Sequence, residues 1–202
     1  MFTGIVQGHY PITHIEEKSG LRRFSVSLPS ELHAGLQPGA SVAVAGVCLT
    51  VTHLDGGDVW FDAMDETLKK TTIGTLAMRD TVNVERSYKI GDELGGHIVS
   101  GHVDGMAQIV AVEERPNNRS ITFRVDAALV PYILPKGFVA LDGCSLTVVD
   151  PVDTIFTVHL IPETLRLTTF GSRKVGERVN LEIDRQTQAI VDTVKRVLRN
   201  YE

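Results

Sequence analysis

Ser41-Val42-Ala43-Val44-Ala45-Gly46-Val47-Cys48-Leu49-Thr50-Val51 is written a second time, 97 residues downstream, as Phe138-Val139-Ala140-Leu141-Asp142-Gly143-Cys144-Ser145-Leu146-Thr147-Val148. Val, Ala, Gly, Leu, Thr and Val recur in place, and Cys48 falls opposite Ser145. Working outward, the same offset aligns Gly4, Val6 and Gly8 with Gly101, Val103 and Gly105. It aligns Glu66-Thr67-Leu68 and Thr71-Thr72 with Glu163-Thr164-Leu165 and Thr168-Thr169. It also aligns Val82-Asn83 and Glu85 with Val179-Asn180 and Glu182. An offset held without a gap across separate blocks is a copied domain; solenoid units are far shorter, about 20–50 residues.

Each copy reads as short strands broken by turns. Phe2 to Val6 is strand-like, and Phe24 to Leu28 alternates apolar with polar, as a half-buried strand does. Ser30 is a possible cap for a helical piece from Glu31 to Leu36. Pro38-Gly39 turns, Gly46 marks a bend, and Asp55-Gly56-Gly57 is a hairpin signal. Val82 to Glu85 is a last strand. The second copy follows suit, with turns at Arg115-Pro116-Asn117-Asn118 and Pro135-Lys136-Gly137. The expected fold is all-β: two tandem six-stranded Greek-key barrels over 1–97 and 98–186, then a C-terminal helix over 187–202. The tail is amphipathic, with Ala189, Ile190, Val191, Val194, Val197 and Leu198 at spacings of three and four, and Thr187 or Asp184 can cap it. It either packs on its own barrels or joins subunits.

The totals exclude several classes. Net charge is -5 without a basic run, which argues against a nucleic-acid surface. Two cysteines, Cys48 and Cys144, are not repeat mates, so no disulfide framework is expected and a reducing cytoplasm fits. The opening residues lack the pattern of a secretory signal, and no apolar run reaches the ~18 residues of a membrane helix.

A duplicated pocket holds two similar ligands in unlike surroundings. His102 replaces Ile5, Asp142 replaces Ala45, and Ser145 replaces Cys48, while Thr50/Thr147 and Thr67/Thr164 are shared. Different proton donors on a shared shape suit a donor site and an acceptor site. A reaction between two identical molecules gains from orientation alone, by as much as roughly 7–11 kcal/mol.

The chain resembles the riboflavin synthase family over essentially its whole length. The segments that carry this are MFTGIV (1–6), GVCLTV (46–51), GDELGGHIVSGHVDG (91–105), LPKGF (134–138), DGCSLTV (142–148), IPETL (161–165) and NLEID (180–184). The resemblance implies a homotrimer with the C-terminal helix at its axis and functional coupling to lumazine synthase. It implies dismutation of two 6,7-dimethyl-8-ribityllumazine molecules to riboflavin and 5-amino-6-ribitylaminouracil, with no metal or cofactor. The active site would lie between the N-terminal barrel of one subunit and the C-terminal barrel of the next. Carried onto this sequence, one pocket takes Gly4, Ile5 and Val6, then Cys48, Leu49 and Thr50, then Asp62, Ala63, Met64, Asp65, Glu66 and Thr67. The other takes Gly101, His102 and Val103, then Ser145, Leu146 and Thr147, then His159, Leu160, Ile161, Pro162, Glu163 and Thr164, with Lys136 nearby.

Proton shuttling at neutral pH suits His102, helped by Ser145 and Asp142. Cys48 is a candidate nucleophile, and Ser41 a further catalytic candidate at the subunit boundary. His97 reads as a residue that orders the link between barrels. The competing readings are a non-catalytic lumazine or flavin carrier of the fluorescent antenna type and a flavin reductase barrel. The reductase would need a Gly-rich nucleotide loop, which the chain lacks.

Overall fold

The computed structural model describes residues 1–199. The first copy supplies β1 (Gly8–Lys18), β2 (Leu21–Ser27), α1 (Ser30–His33), β3 (Ser41–Val44), β4 (Val47–Asp55), β5 (Asp58–Met64), α2 (Asp65–Lys70) and β6 (Thr81–Arg86). Its strands close into a barrel in the order β1-β2-β5-β4-β3-β6, as in a Greek key. The second copy supplies β7 (Gly105–Arg115), β8 (Asn118–Arg124), β9 (Phe138–Leu141), β10 (Cys144–Thr147), β11 (Val149–Val152), β12 (Ile155–Leu160), α3 (Pro162–Leu167) and β13 (Arg178–Ile183), followed by α4 (Arg185–Arg199). Its order, β10-β9-β13-β7-β8-β12-β11, is the same cycle with one difference. The counterpart of β4 is interrupted at Val148 into β10 and β11, so the ring closes there through the chain itself. Six strands are therefore seen in one barrel and seven segments in the other.

Alternation builds both cores. In β5 the pattern points Val59, Phe61 and Ala63 inward and Trp60, Asp62 and Met64 outward. In β12 Phe156, Val158 and Leu160 point in, and His159 points out. The repeat persists in the hydrogen bonds. Arg22 donates to the carbonyls of Ile73 and Leu76, and its mate Arg119 donates to Phe170 and Gly171.

Two local expectations change. Phe2 to Val6 is not a strand; it makes one bridge, Phe2 to Val99, and otherwise runs as a lead segment. Ser30 lies inside α1 rather than capping it, and Pro29 takes the cap position without a side-chain bond.

The two lead segments are exchanged. Val6, from the first copy, lies in the core of the second barrel, and Val103, from the second copy, packs on the core of the first. Gly4 O accepts from Ser145 N at 2.8 Å, and Gly101 O accepts from Cys48 N at 2.9 Å. The barrels are further locked by a crossed pair of buried asparagines. Asn83 donates to Asp142 O and accepts from Thr169 N, at 3.0 and 2.8 Å. Asn180 donates to Ala45 O and to the Thr72 hydroxyl and accepts from Thr72 N, at 2.8, 2.9 and 2.8 Å.

Asp142, expected to help in catalysis, is placed by the structure in this lock and not on an open face. It sits in the turn before β10 at φ 42°, is 1% exposed, and accepts from Asn180 N and the Arg173 guanidinium at 2.8 Å each. Burial pushes its carboxyl from 3.8 up to about 6, against the pull of Arg173. The folded state thus binds this proton more tightly than the unfolded chain does. The contribution of Asp142 to stability should decline as pH rises from the unfolded value to about 6, then level off. Asp142→Asn removes this titration. Lowering pH from about 7.5 to about 4.5 should therefore raise the melting temperature of the wild type relative to the variant by a few degrees. Parallel melting curves across that range would refute the shift.

The helix α4 begins where Asp184 accepts from Thr187 N and Oγ1 and from Gln186 N, so Asp184 is the cap. Tyr132 donates to Asp192 at 2.6 Å and lies under Lys195, which ties α4 to its own second barrel. Ile190, Val194, Val197 and Leu198 remain exposed. The expected helical residues 200–202 fall outside the described residues.

Candidate functional site

Two equivalent outward faces stand out, one on each barrel. On the first, Cys48 and Thr50 project from β4, Asp62 and Met64 from β5, and Thr67 lies in α2. Ser41 pairs with Thr50 across β3 and β4, at the edge of this face. The exchanged segment brings Gly101 and His102 to it, with His102 exposed. On the second face, Ser145 and Thr147 project from β10, His159 from β12, Ile161 follows it, and Thr164 lies in α3. Here the exchanged segment brings Gly4 and Ile5.

The carried-over pockets are thus regrouped. Gly4-Ile5-Val6 joins Ser145, not Cys48, and Gly101-His102-Val103 joins Cys48, not Ser145. The reason is steric as well as hydrogen-bonded. A Cβ on Gly4 would sit 2.5 Å from Ser145 Cβ, and one on Gly101 would sit 2.5 Å from Cys48 Cβ. Both glycines have positive φ, 75° and 79°. Only a residue without a side chain permits this approach.

Several expected contacts turn inward. Leu49, Ala63 and Val6 are core residues, as are Leu146 and Leu160. Asp65 and Pro162 begin α2 and α3 and are exposed. Glu66 and Glu163 pair with Lys70 and Arg166 on their own helices. Lys136 occupies an exposed turn before β9, at φ 63°.

Each face offers apolar surface beside hydroxyls. Met64 and its mate Ile161 are both 63% exposed, and Ile5 is 50% exposed. Large apolar side chains left open at repeated positions mark a surface made to be covered.

The two faces differ in proton equipment. On the first, Arg23 grips Asp62 through two bonds of 2.7 and 2.8 Å, and its hydrogen bonds hold the Asp62 carboxyl below the usual range. On the second, Ser120 bonds His159 Nδ1 at 2.8 Å. His97 joins this face too. Its Nδ1 lies 2.6 Å from Ser145 Oγ and its ring stacks on Phe138 at 5.3 Å. Burial pushes the His97 imidazolium pKa down, with Asp184 opposing. His97 was read as a linker residue because it has no partner within the repeat. The glycines Gly95 and Gly96 before it were the available signal, and a Cβ on Gly96 would meet Ser145 Cβ at 2.9 Å.

The thiols separate cleanly. Cys48 is partly exposed on its face, whereas Cys144 is buried and its pKa is pushed up to about 12, which keeps it an inert thiol.

Residues 3–87 and 100–184 each match the lumazine binding domain. The chain is 54% identical over 199 residues to riboflavin synthase of Escherichia coli (strain K12), covering 98% of this chain and 93% of that one. This chain belongs to the riboflavin synthase family. Riboflavin synthase of Chlamydia pneumoniae is 44% identical, with 98% and 97% of the two chains covered. Among solved structures, LumP complexed with riboflavin superposes with a TM-score of 0.86 at 26% identity, covering 92% of this chain and all of that one. LumP complexed with 6,7-dimethyl-8-(1'-D-ribityl) lumazine gives 0.84 at 25%. Riboflavin synthase architecture therefore accounts for both copies at once, each copy being one lumazine binding domain.

Proposed function

We propose that the chain catalyses the dismutation of 6,7-dimethyl-8-ribityllumazine, with one molecule on each face. A methyl group of one ring loses a proton to give a ring-delocalised carbanion, and a nucleophile adds to the other ring. The rings join, the added nucleophile is expelled, elimination releases 5-amino-6-ribitylaminouracil, and the four-carbon unit stays with riboflavin. Two identical substrates supply every atom of both products. The observation that carries this reading is the pair of matched faces with unmatched polar groups: Cys48, Asp62 and His102 on one, Ser145, His97 and His159 on the other. His102 transfers protons and Cys48 is the nucleophile in this scheme, with Ser145 activated by His97.

The reaction unites the first face of one subunit with the second face of its neighbour in a homotrimer. The uncovered stripe Ile190, Val194, Val197 and Leu198 on α4 supports that assembly. Identity of 54% to a synthase, against 26% to LumP, supports the enzyme over a carrier.

Purified protein should form riboflavin from the lumazine without added metal or nucleotide, followed by its absorbance and fluorescence. A folded protein that binds the lumazine yet yields no riboflavin would favour the carrier. His102→Gln should lower kcat about a hundredfold while KM changes less than about threefold. Unaltered turnover would remove His102 from proton transfer.

A further inference from the structure

The repeated block Val82-Asn83-Val84-Glu85, matched by Val179-Asn180-Leu181-Glu182, ends in an acid that lies on neither outward face. Glu85 and Glu182 are buried in their own barrels, 4% and 3% exposed, and each has its carboxylate filled by a lead segment. Glu85 accepts from Thr3 N, Thr3 Oγ1 and Gly4 N at 2.6, 2.8 and 3.0 Å. Glu182 accepts from Ser100 N, Ser100 Oγ and Gly101 N at 2.8, 2.5 and 2.8 Å. Each hydroxyl passes the constraint on. Thr3 Oγ1 accepts from Ile5 N, and Ser100 Oγ accepts from His102 N, both at 3.2 Å. The next carbonyl contacts lie in the opposite barrel: Gly4 O meets Ser145 N, and Gly101 O meets Cys48 N.

We propose that Glu85 and Glu182 are crossed positioning residues, each glutamate setting the pocket carried by the other barrel. Glu182, in the second barrel, fixes His102 over Cys48. Glu85, in the first, fixes Ile5 over Ser145. An ionised carboxylate is needed because both oxygens receive donors. Glutamine offers one accepting oxygen and turns an NH2 toward a glycine N–H that it cannot satisfy.

The test compares Glu182→Gln with Glu85→Gln in the full chain, using amide hydrogen exchange without ligand and titration with riboflavin. Glu182→Gln should speed exchange at the Cys48 amide and across 98–103 at least about tenfold, leaving Ser145 and 1–6 within about threefold of wild type. Riboflavin should weaken at one of two sites per chain by about tenfold. Glu85→Gln should give the mirror result, at Ser145 and 1–6. Ser100→Ala and Thr3→Val delete only the hydroxyl relay; they should reproduce the pattern at smaller amplitude, and they carry the comparison if a glutamine variant does not fold. Equal loosening at both amides in every variant, or loosening confined to the substituted barrel, would overturn the crossed assignment. The titration rests on the function proposed above, whereas the exchange does not. Absence of riboflavin binding in the wild type would count against that function and leave the exchange result standing.

Discussion

Riboflavin formation falls at least about a hundredfold in Gly101→Ala, because the added methyl cannot coexist with Cys48. The Cβ would lie 2.5 Å from Cys48 Cβ and 2.8 Å from Cys48 N, both belonging to a strand fixed at the centre of its sheet. The conformation adds to the clash: φ of 79° is left-handed, where alanine costs about 1 kcal/mol more than glycine. The segment must back away, so the bond from Cys48 N to Gly101 O breaks and His102 leaves the face. Loss of stability is expected at about 2–4 kcal/mol, from strain and overpacking together. Gly4→Ala should act likewise on the Ser145 face. The checks are steady-state turnover and thermal melting of the purified variants. Gly101→Ala with wild-type turnover would show that the close approach has no bearing on the reaction.

Asn180→Ala should cost the most stability of any single polar substitution discussed, about 3–5 kcal/mol. The side chain is 1% exposed and makes three bonds into the other barrel. Truncation leaves Ala45 O, Thr72 N and the Thr72 hydroxyl without these partners in a buried seam, and each such group costs about 1–3 kcal/mol. For a chain of this size the melting temperature should fall by about 6–15 °C. Asn83→Ala should lose less, because Asn83 makes two such bonds. The double variant should fall short of the sum, since both residues hold one seam and the first loss already loosens it. A change below about 1 kcal/mol in Asn180→Ala, by denaturant titration, would show that the seam is hydrated.

Two all-β copies of barrel class could be read from the residues because the turns repeat with the strands. Gly46 recurs as Gly143 and Pro38 as Pro135 at one spacing, so chain direction reverses at the same points twice. The exchange of lead segments could not be read in this way. An offset equates Gly4 with Gly101 but carries no information on which barrel either touches, and alternation within 1–6 suits either core. The interruption at Val148 did have a signal, Asp150-Pro151, two poor strand formers standing where the first copy has His53-Leu54. Difference between the copies, which singles out Asp142, is not by itself a mark of chemistry. A left-handed turn also selects aspartate, and Asp142 has φ of 42° where its mate Ala45 has 47°. His97 escaped because it has no mate, and comparison between copies sees only residues that have one.

The crossing of the lead segments also bears on the order in which the chain is made. Translation delivers the N-terminal half first, yet the piece that covers Cys48 lies at 98–103 and is synthesised only after that half is complete. Residues 1–6, made well ahead of the second copy, must wait for Ser145 to emerge before their own mating surface exists. A nascent first barrel therefore has the hydrogen-bonding amide of Cys48 and the apolar recess for Val103 temporarily open. Ribosome-associated chains stalled before residue 98 should be the stage most exposed to aggregation.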